Sequence, residues 1–150
     1  MKKISLLLML VVMATVSVCA QTAIRWQASV AMKNKSEGVL TVKAVVAPGW
    51  HLYGTAMPKE GPNSTKLDFS GSTGVEFTGA FTPSVKPVTR HDDMFGITLS
   101  WWDRSVTFTR PFKLKGKKGD AAIVGKITFM GCNDKTCLPP KTETINLKLK

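Results

Sequence analysis

Apolar residues recur at every second position through much of the chain. Leu40, Val42, Ala44 and Val46 form one such set; Val106, Phe108, Phe112 and Leu114 form another, broken at Arg110. Ile123, Ile127 and Phe129 follow, then Ile145, Leu147 and Leu149. A period of two marks a strand with one face in a core and the other in water. From Ile24 onward no long stretch keeps a clean helical period. Between the apolar sets stand Pro48-Gly49, Gly61-Pro62-Asn63, Pro139-Pro140 and the Gly- or Pro-bounded segments 71–74, 83–87 and 116–119. Proline withdraws a ladder donor and glycine opens turn conformations, so each cluster ends a strand. The pattern predicts an all-β fold, an antiparallel β-sandwich of roughly seven to nine strands. Neither an internal repeat nor a low-complexity linker divides it, so one domain is expected.

The N-terminus departs from this pattern. Met1-Lys2-Lys3 is positive, residues 4–18 are apolar, and Val18-Cys19-Ala20 places small residues before Gln21. That is the layout of a secretory signal peptide cleaved after Ala20, leaving residues 21–150 as the domain. Acylation of Cys19 as a lipoprotein anchor is the less favoured reading, because Val18 is branched where Gly, Ala or Ser is expected.

Export changes the meaning of the charge. The 150 residues carry 21 Lys+Arg and 10 Asp+Glu, a net +11 that falls to +9 without Lys2 and Lys3. An exported basic domain meets anionic envelope surfaces or acidic proteins, and its charge aids solubility; nucleic acid is not an expected partner. The basic run over residues 113–119 reads as a solvated hairpin turn in preference to a binding patch. No second apolar run approaches the ~20 residues a bilayer span requires, so the mature chain is expected to have no membrane span. Nothing demands a dimer, and a monomer is expected.

Export also removes Cys19, leaving a pair, Cys132-Asn133-Asp134-Lys135-Thr136-Cys137. It follows the apolar run 127–130 and precedes Leu138-Pro139-Pro140, which puts it in a turn between two strands. A chain that reverses there can bring the Cα atoms within the ~4.4–6.8 Å of a disulfide. Outside the cytosol such a pair is oxidised unless something reduces it. As a staple it is weak: closing a ring of ~6 residues stabilises by ~2 kcal/mol, against ~3 kcal/mol for 15 residues. As a reactive device it is apt, since a small exposed ring is open to an attacking thiolate. On the residues alone the two readings stand level. Zinc bound by the pair with His51 and His91 is disfavoured by spacing. G-x-S-x-G, H-E-x-x-H and phosphate-cradling glycine loops are absent, so hydrolase and nucleotide chemistry have no support. Asn63-Ser64-Thr65 fits the glycosylation pattern but reads as turn composition.

Three ordered motifs tip the balance. Cys132-x-Asp134-x-x-Cys137-x-Pro139-Pro140 resembles the cysteine motif of the N-terminal periplasmic domain of DsbD-type thiol:disulfide interchange proteins. Gly49-Trp50-His51-Leu52-Tyr53 resembles that family's Gly-aromatic-x-Leu-Tyr stretch, and His91-Asp92-Asp93-Met94-Phe95-Gly96 resembles its acidic, aromatic, glycine cap loop. The resemblance covers residues 24–150 and implies an immunoglobulin-like thiol:disulfide oxidoreductase domain of the periplasm, linked to cytochrome c biogenesis. It implies Cys137 as nucleophile and Cys132 as resolving thiol. Asp92, Asp93, Met94, Phe95 and Gly96 would form the cap that shields the sulfurs, and Trp50, Tyr53, Asp134 and Pro139 would line the site. Electrons would come from a thioredoxin-like donor on a separate polypeptide and pass to oxidised periplasmic proteins, with no cofactor beyond the disulfide and no metal. Two departures stand out: four residues separate the cysteines where five are usual, and Met94 occupies a place where the cap bears an aromatic. The alternative is a non-catalytic carbohydrate- or protein-binding sandwich with a structural disulfide. Trp101-Trp102 suits it if both indoles are exposed, although alternation on a strand sends one to the core and one outward.

Overall fold

The structure, a computed structural model, describes residues 22–93 and 96–150. The expected signal peptide, its cleavage site, Cys19 and the cap residues Met94 and Phe95 lie outside the described residues. Twelve strands follow one another: β1 (Ile24–Met32), β2 (Glu37–Val46), β3 (His51–Tyr53), β4 (Lys66–Asp68), β5 (Val75–Phe77) and β6 (Thr82–Pro83). Then come β7 (Val88–Asp92), β8 (Ile97–Trp102), β9 (Val106–Leu114), β10 (Ala122–Phe129), β11 (Gly131–Cys132) and β12 (Lys141–Lys148). The described residues thus hold more strands than the seven to nine expected, because β3, β4, β5, β6 and β11, of two or three residues each, are too short to show a period.

Every strand pairing is antiparallel. One sheet has the order β1-β2-β9-β5, with β6 also on β9; a second is β12-β10-β4; a third is β11-β3-β8-β7. The period-two sets build the walls of the core. Leu40, Val42 and Ala44 are fully buried, and the register sets Val42 against Phe108 and Ala44 against Val106. Aromatic contacts tie the first sheet to the others: Trp26 to Phe129 with ring centroids 5.5 Å apart, and Phe108 to Trp102 at 5.2 Å. Apolar burial of this extent is the main force that holds such a sandwich together.

Two irregularities in the pattern have physical explanations. Arg110 keeps the inward parity of β9: its guanidinium carbon lies 4.7 Å from the Phe77 ring centre and 5.5 Å from that of Phe81. Its Nε donates to the Gly79 carbonyl at 2.8 Å, so the charge caps an aromatic group at the edge of the core. Gly125 fills the gap between Ile123 and Ile127 because the Phe69 ring lies flush against β10, where a Cβ would collide with it.

One expectation changes and one holds. Residues 113–119 are not a hairpin turn; they carry the chain from β9 in the first sheet to β10 in the second through one 3₁₀ turn, Lys118–Asp120. They are solvated from Lys115 onward, as expected. The Trp101-Trp102 pair divides as alternation requires, with Trp102 3 % exposed and its Nε1 donating to the Val85 carbonyl at 2.9 Å. The two-indole platform that a carbohydrate-binding reading wanted therefore does not form.

Candidate functional site

β10 runs past Met130 straight into β11, so a core strand delivers the first cysteine. Gly131 lies opposite Leu52 and Cys132 opposite His51. Gly131 and Leu52 face the core, and Ile24 packs where a Gly131 side chain would stand. The chain then reverses over Asn133. The Asn133 side-chain oxygen accepts from the Lys135 and Thr136 amides at 2.9 and 2.7 Å, which is how asparagine fixes a tight turn. Backbone bonds from Asn133 to Thr136 and from Leu138 to Gly131, both 2.8 Å, bracket the cysteines. Cys132 and Cys137 thus face each other across a minimal hairpin and are joined by a disulfide, with Cα atoms 4.0 Å apart. That is shorter than the ~4.4–6.8 Å expected, and fits the close approach of a pair flanked by ladder bonds but making none, the narrow pair of an antiparallel ladder.

The two sulfurs live in different surroundings. Cys132 is 4 % exposed, whereas Cys137 lies on the open arm of the hairpin and is exposed. Asp134 and Lys135 project at the turn, also exposed. Leu138, at 41 % exposure, and Pro139 lead away from Cys137 and border a cavity of about 60 Å³ with Phe129 and Lys141. The Lys141 ammonium is engaged by Glu143 at 3.1 Å.

β3 supplies the neighbouring side chains. Residues directly opposed in an antiparallel pair share a face, so His51 stands on the same side as Cys132. Tyr53, two residues on, shares that side and lies opposite Trp101 of β8. The His51 ring meets Trp101 edge-on at 5.8 Å. Partial burial raises the Tyr53 phenol above the usual tyrosine range. Its carbonyl accepts from the Thr65 hydroxyl at 2.6 Å; Thr65 is 2 % exposed, so this threonine of the glycosylation-like triplet is a packing element, while Asn63 is exposed. Trp50, just before β3, packs against the core cluster.

The third motif lies on the same sheet. β7 and β8 pair from Val88–Trp101 to Asp92–Ile97, and the chain returns between them through Gly96. Gly96 takes φ +63°, a left-handed conformation that glycine adopts freely, and its amide donates to the Asp92 carbonyl at 2.8 Å. His91 Nε2 lies 3.8 Å from Asp93 Oδ1, both solvent-exposed. All three motifs therefore fall on the β11-β3-β8-β7 sheet, the cysteines at one edge and the cap hairpin at the other. Sequence reasoning weighed His51 only as a zinc ligand with His91; its place beside Cys132 was missed, and its alternation with core-facing Leu52 was the available signal.

Comparison with known proteins decides the family. The sequence profile described as "Thiol:disulfide interchange protein DsbD, N-terminal" matches residues 15–149. The chain belongs to the DsbD N-terminal family. Among solved structures, the N-terminal periplasmic domain of ScsB from Proteus mirabilis superposes on this DsbD-family chain with a TM-score of 0.59 at 16 % identity. The match covers 89 % of this chain and 49 % of that one, so the chain spans about half the length of that structure. At this identity the match speaks for the fold, and it agrees with the immunoglobulin-like sandwich. The yeast GGA1 GAE domain aligns at a TM-score of 0.46 and 9 % identity over 83 % of this chain and 91 % of that one, and nothing is built on it. No curated protein matches the sequence. Among the described residues no helix is long and apolar enough to cross a membrane.

Proposed function

We propose that this DsbD N-terminal-family domain is a periplasmic thiol-disulfide exchange module that relays electrons from a thioredoxin-like donor to oxidised envelope proteins. The unequal exposure of the two sulfurs carries this reading. A partner thiolate reaches Sγ of exposed Cys137 far more readily than Sγ of buried Cys132. Attack there forms a mixed disulfide on Cys137 and expels Cys132 as a thiolate; a second donor thiol then releases reduced Cys137. In the forward direction the Cys137 thiolate attacks an acceptor disulfide, and Cys132 attacks Sγ of Cys137 to free the acceptor and restore the bond. The disulfide is the only redox group this requires.

The surroundings fit these roles. Asp134 and Pro139 flank the exposed sulfur on the surface a partner would cover. Tyr53 shares the outer face of β3 with His51, and Trp50 braces β3 from the core side. The family resemblance supports a cap role for Asp92, Asp93, Met94, Phe95 and Gly96, which would shield the pair until a partner docks, although the described part of that segment starts from the opposite edge of the sheet. One polypeptide contains the whole pair, so the relay needs no second copy of the chain, and the N-terminal signal would export it. The test is trapping. Cys132→Ala should accumulate mixed disulfides through Cys137 with thioredoxin-like proteins in envelope extracts, and Cys137→Ala should not. A folded Cys132→Ala protein that traps none would favour the non-catalytic binding sandwich.

A further inference from the structure

Exchange at Cys137 leaves a charge in an awkward place. When a thiolate attacks its Sγ, the electron pair of the S–S bond moves to Sγ of Cys132, which is 4 % exposed. An anion so far removed from water is costly unless it is protonated or hydrogen-bonded. The register allows two direct neighbours for Cys132: Cys137 on one side and His51 on the other. Side chains so opposed have Cβ atoms ~4.5–5.5 Å apart.

His51 carries an unusual feature. Its Nδ1 is buried and has no hydrogen-bond partner, one of two such side-chain atoms among the described residues, the other being Trp26 Nε1 in the core. Buried polar atoms are nearly always paired, so an orphan beside a reactive group calls for a reason. A disulfide sulfur is a weak acceptor, whereas a thiolate is a strong one. Reduction creates such an acceptor, Sγ of Cys132, on the residue that lies opposite His51 in register. The ring is also held in place, edge-on against Trp101.

We propose that His51 is the proton-transfer residue for Cys132. This rests on the exchange reading above. As the S–S bond breaks, the imidazolium gives its Nδ1 proton to the departing Cys132 thiolate, and a new S–S bond joins Cys137 to the donor. In the reverse step neutral His51 takes the proton from the Cys132 thiol as that sulfur attacks the mixed disulfide. The reverse step returns to Nδ1 the proton that the first step took from it, so the cycle closes without another proton source. Other titratable groups lie around it. Tyr53 is neutral on the same face of β3; Asp103 follows the end of β8; Asp134 and Lys135 stand at the turn, and Lys141 is paired with Glu143. His91, Asp92 and Asp93 lie on the far hairpin. None of these is in register with Cys132.

The experiment reduces the oxidised protein with dithiothreitol from about pH 5 to pH 9, across the range where imidazoles titrate. Rates are expressed per reductant thiolate and read by acid quenching and thiol counting. The wild-type rate should fall as the imidazole loses its proton. His51→Gln and His51→Phe, the second keeping a ring against Trp101, should be slower by about 10- to 100-fold at the acid end and show no pH dependence there. Either variant matching the wild-type rate and profile overturns the assignment. A wild-type protein reduced no faster than oxidised glutathione at every pH overturns the exchange reading instead, and the assignment with it.

Discussion

Reduction of the Cys132–Cys137 bond opens a ring of about six residues, for which the chain-entropy model gives ~2 kcal/mol. Little else is lost. The hairpin keeps its backbone bonds on both sides of the pair and the two Asn133 side-chain bonds that fix the turn. Of the pair, only Cys132 is buried, and the core consists of side chains such as Leu40, Phe108, Phe112 and Ile127 that do not depend on the link. The reduced domain should therefore stay folded. Urea unfolding with and without a phosphine reductant measures the difference. With a slope of about 2 kcal/mol per M, the midpoint should drop by about 1 M while the transition stays single and cooperative. Loss of the cooperative transition, or a stability change above about 4 kcal/mol, would show that the fold leans on the bond. The pair would then be a staple, and the argument from ring size would be wrong.

Two further outcomes probe the surroundings of the site and the core. Tyr53 is the chain's single tyrosine, so an ultraviolet titration reads it alone; burial should place its midpoint above the ordinary ~10. Its folded pKa being raised, its contribution to stability is present below ~10 and disappears as pH climbs through the folded value; a midpoint at or under ~10 would contradict the burial. Gly125→Ala pushes a Cβ into the Phe69 ring and should cost roughly 1–3 kcal/mol in urea unfolding while leaving the reduction rate of the disulfide unchanged. An unaltered midpoint would mean that Phe69 can move aside.

The long strands were legible because they are long. Leu40 to Val46 in β2 and Val106 to Phe112 in β9 repeat often enough for a period of two to show, and the structure buries these residues. The site was legible in its motifs but not in its assembly. β3 and β11 have three and two residues, too few to display any period, yet their pairing is what sets His51 beside Cys132. Arg110 looked like an interruption because charge was read without the aromatic rings that receive it. Gly125 looked like a missing residue because the Phe69 ring that takes its place is distant in sequence. Spacing left staple and redox couple level; the proposal draws instead on one buried and one exposed cysteine, a difference made by the end of a core strand.

The reduction potential of the Cys132–Cys137 pair tests the central claim most directly. Equilibration in glutathione or dithiothreitol buffers of graded ratio, followed by thiol trapping, gives the value. An exchange module predicts a potential above about −300 mV, within reach of thioredoxin-like partners, whereas a value well below that would mark an inert structural disulfide and contradict the account.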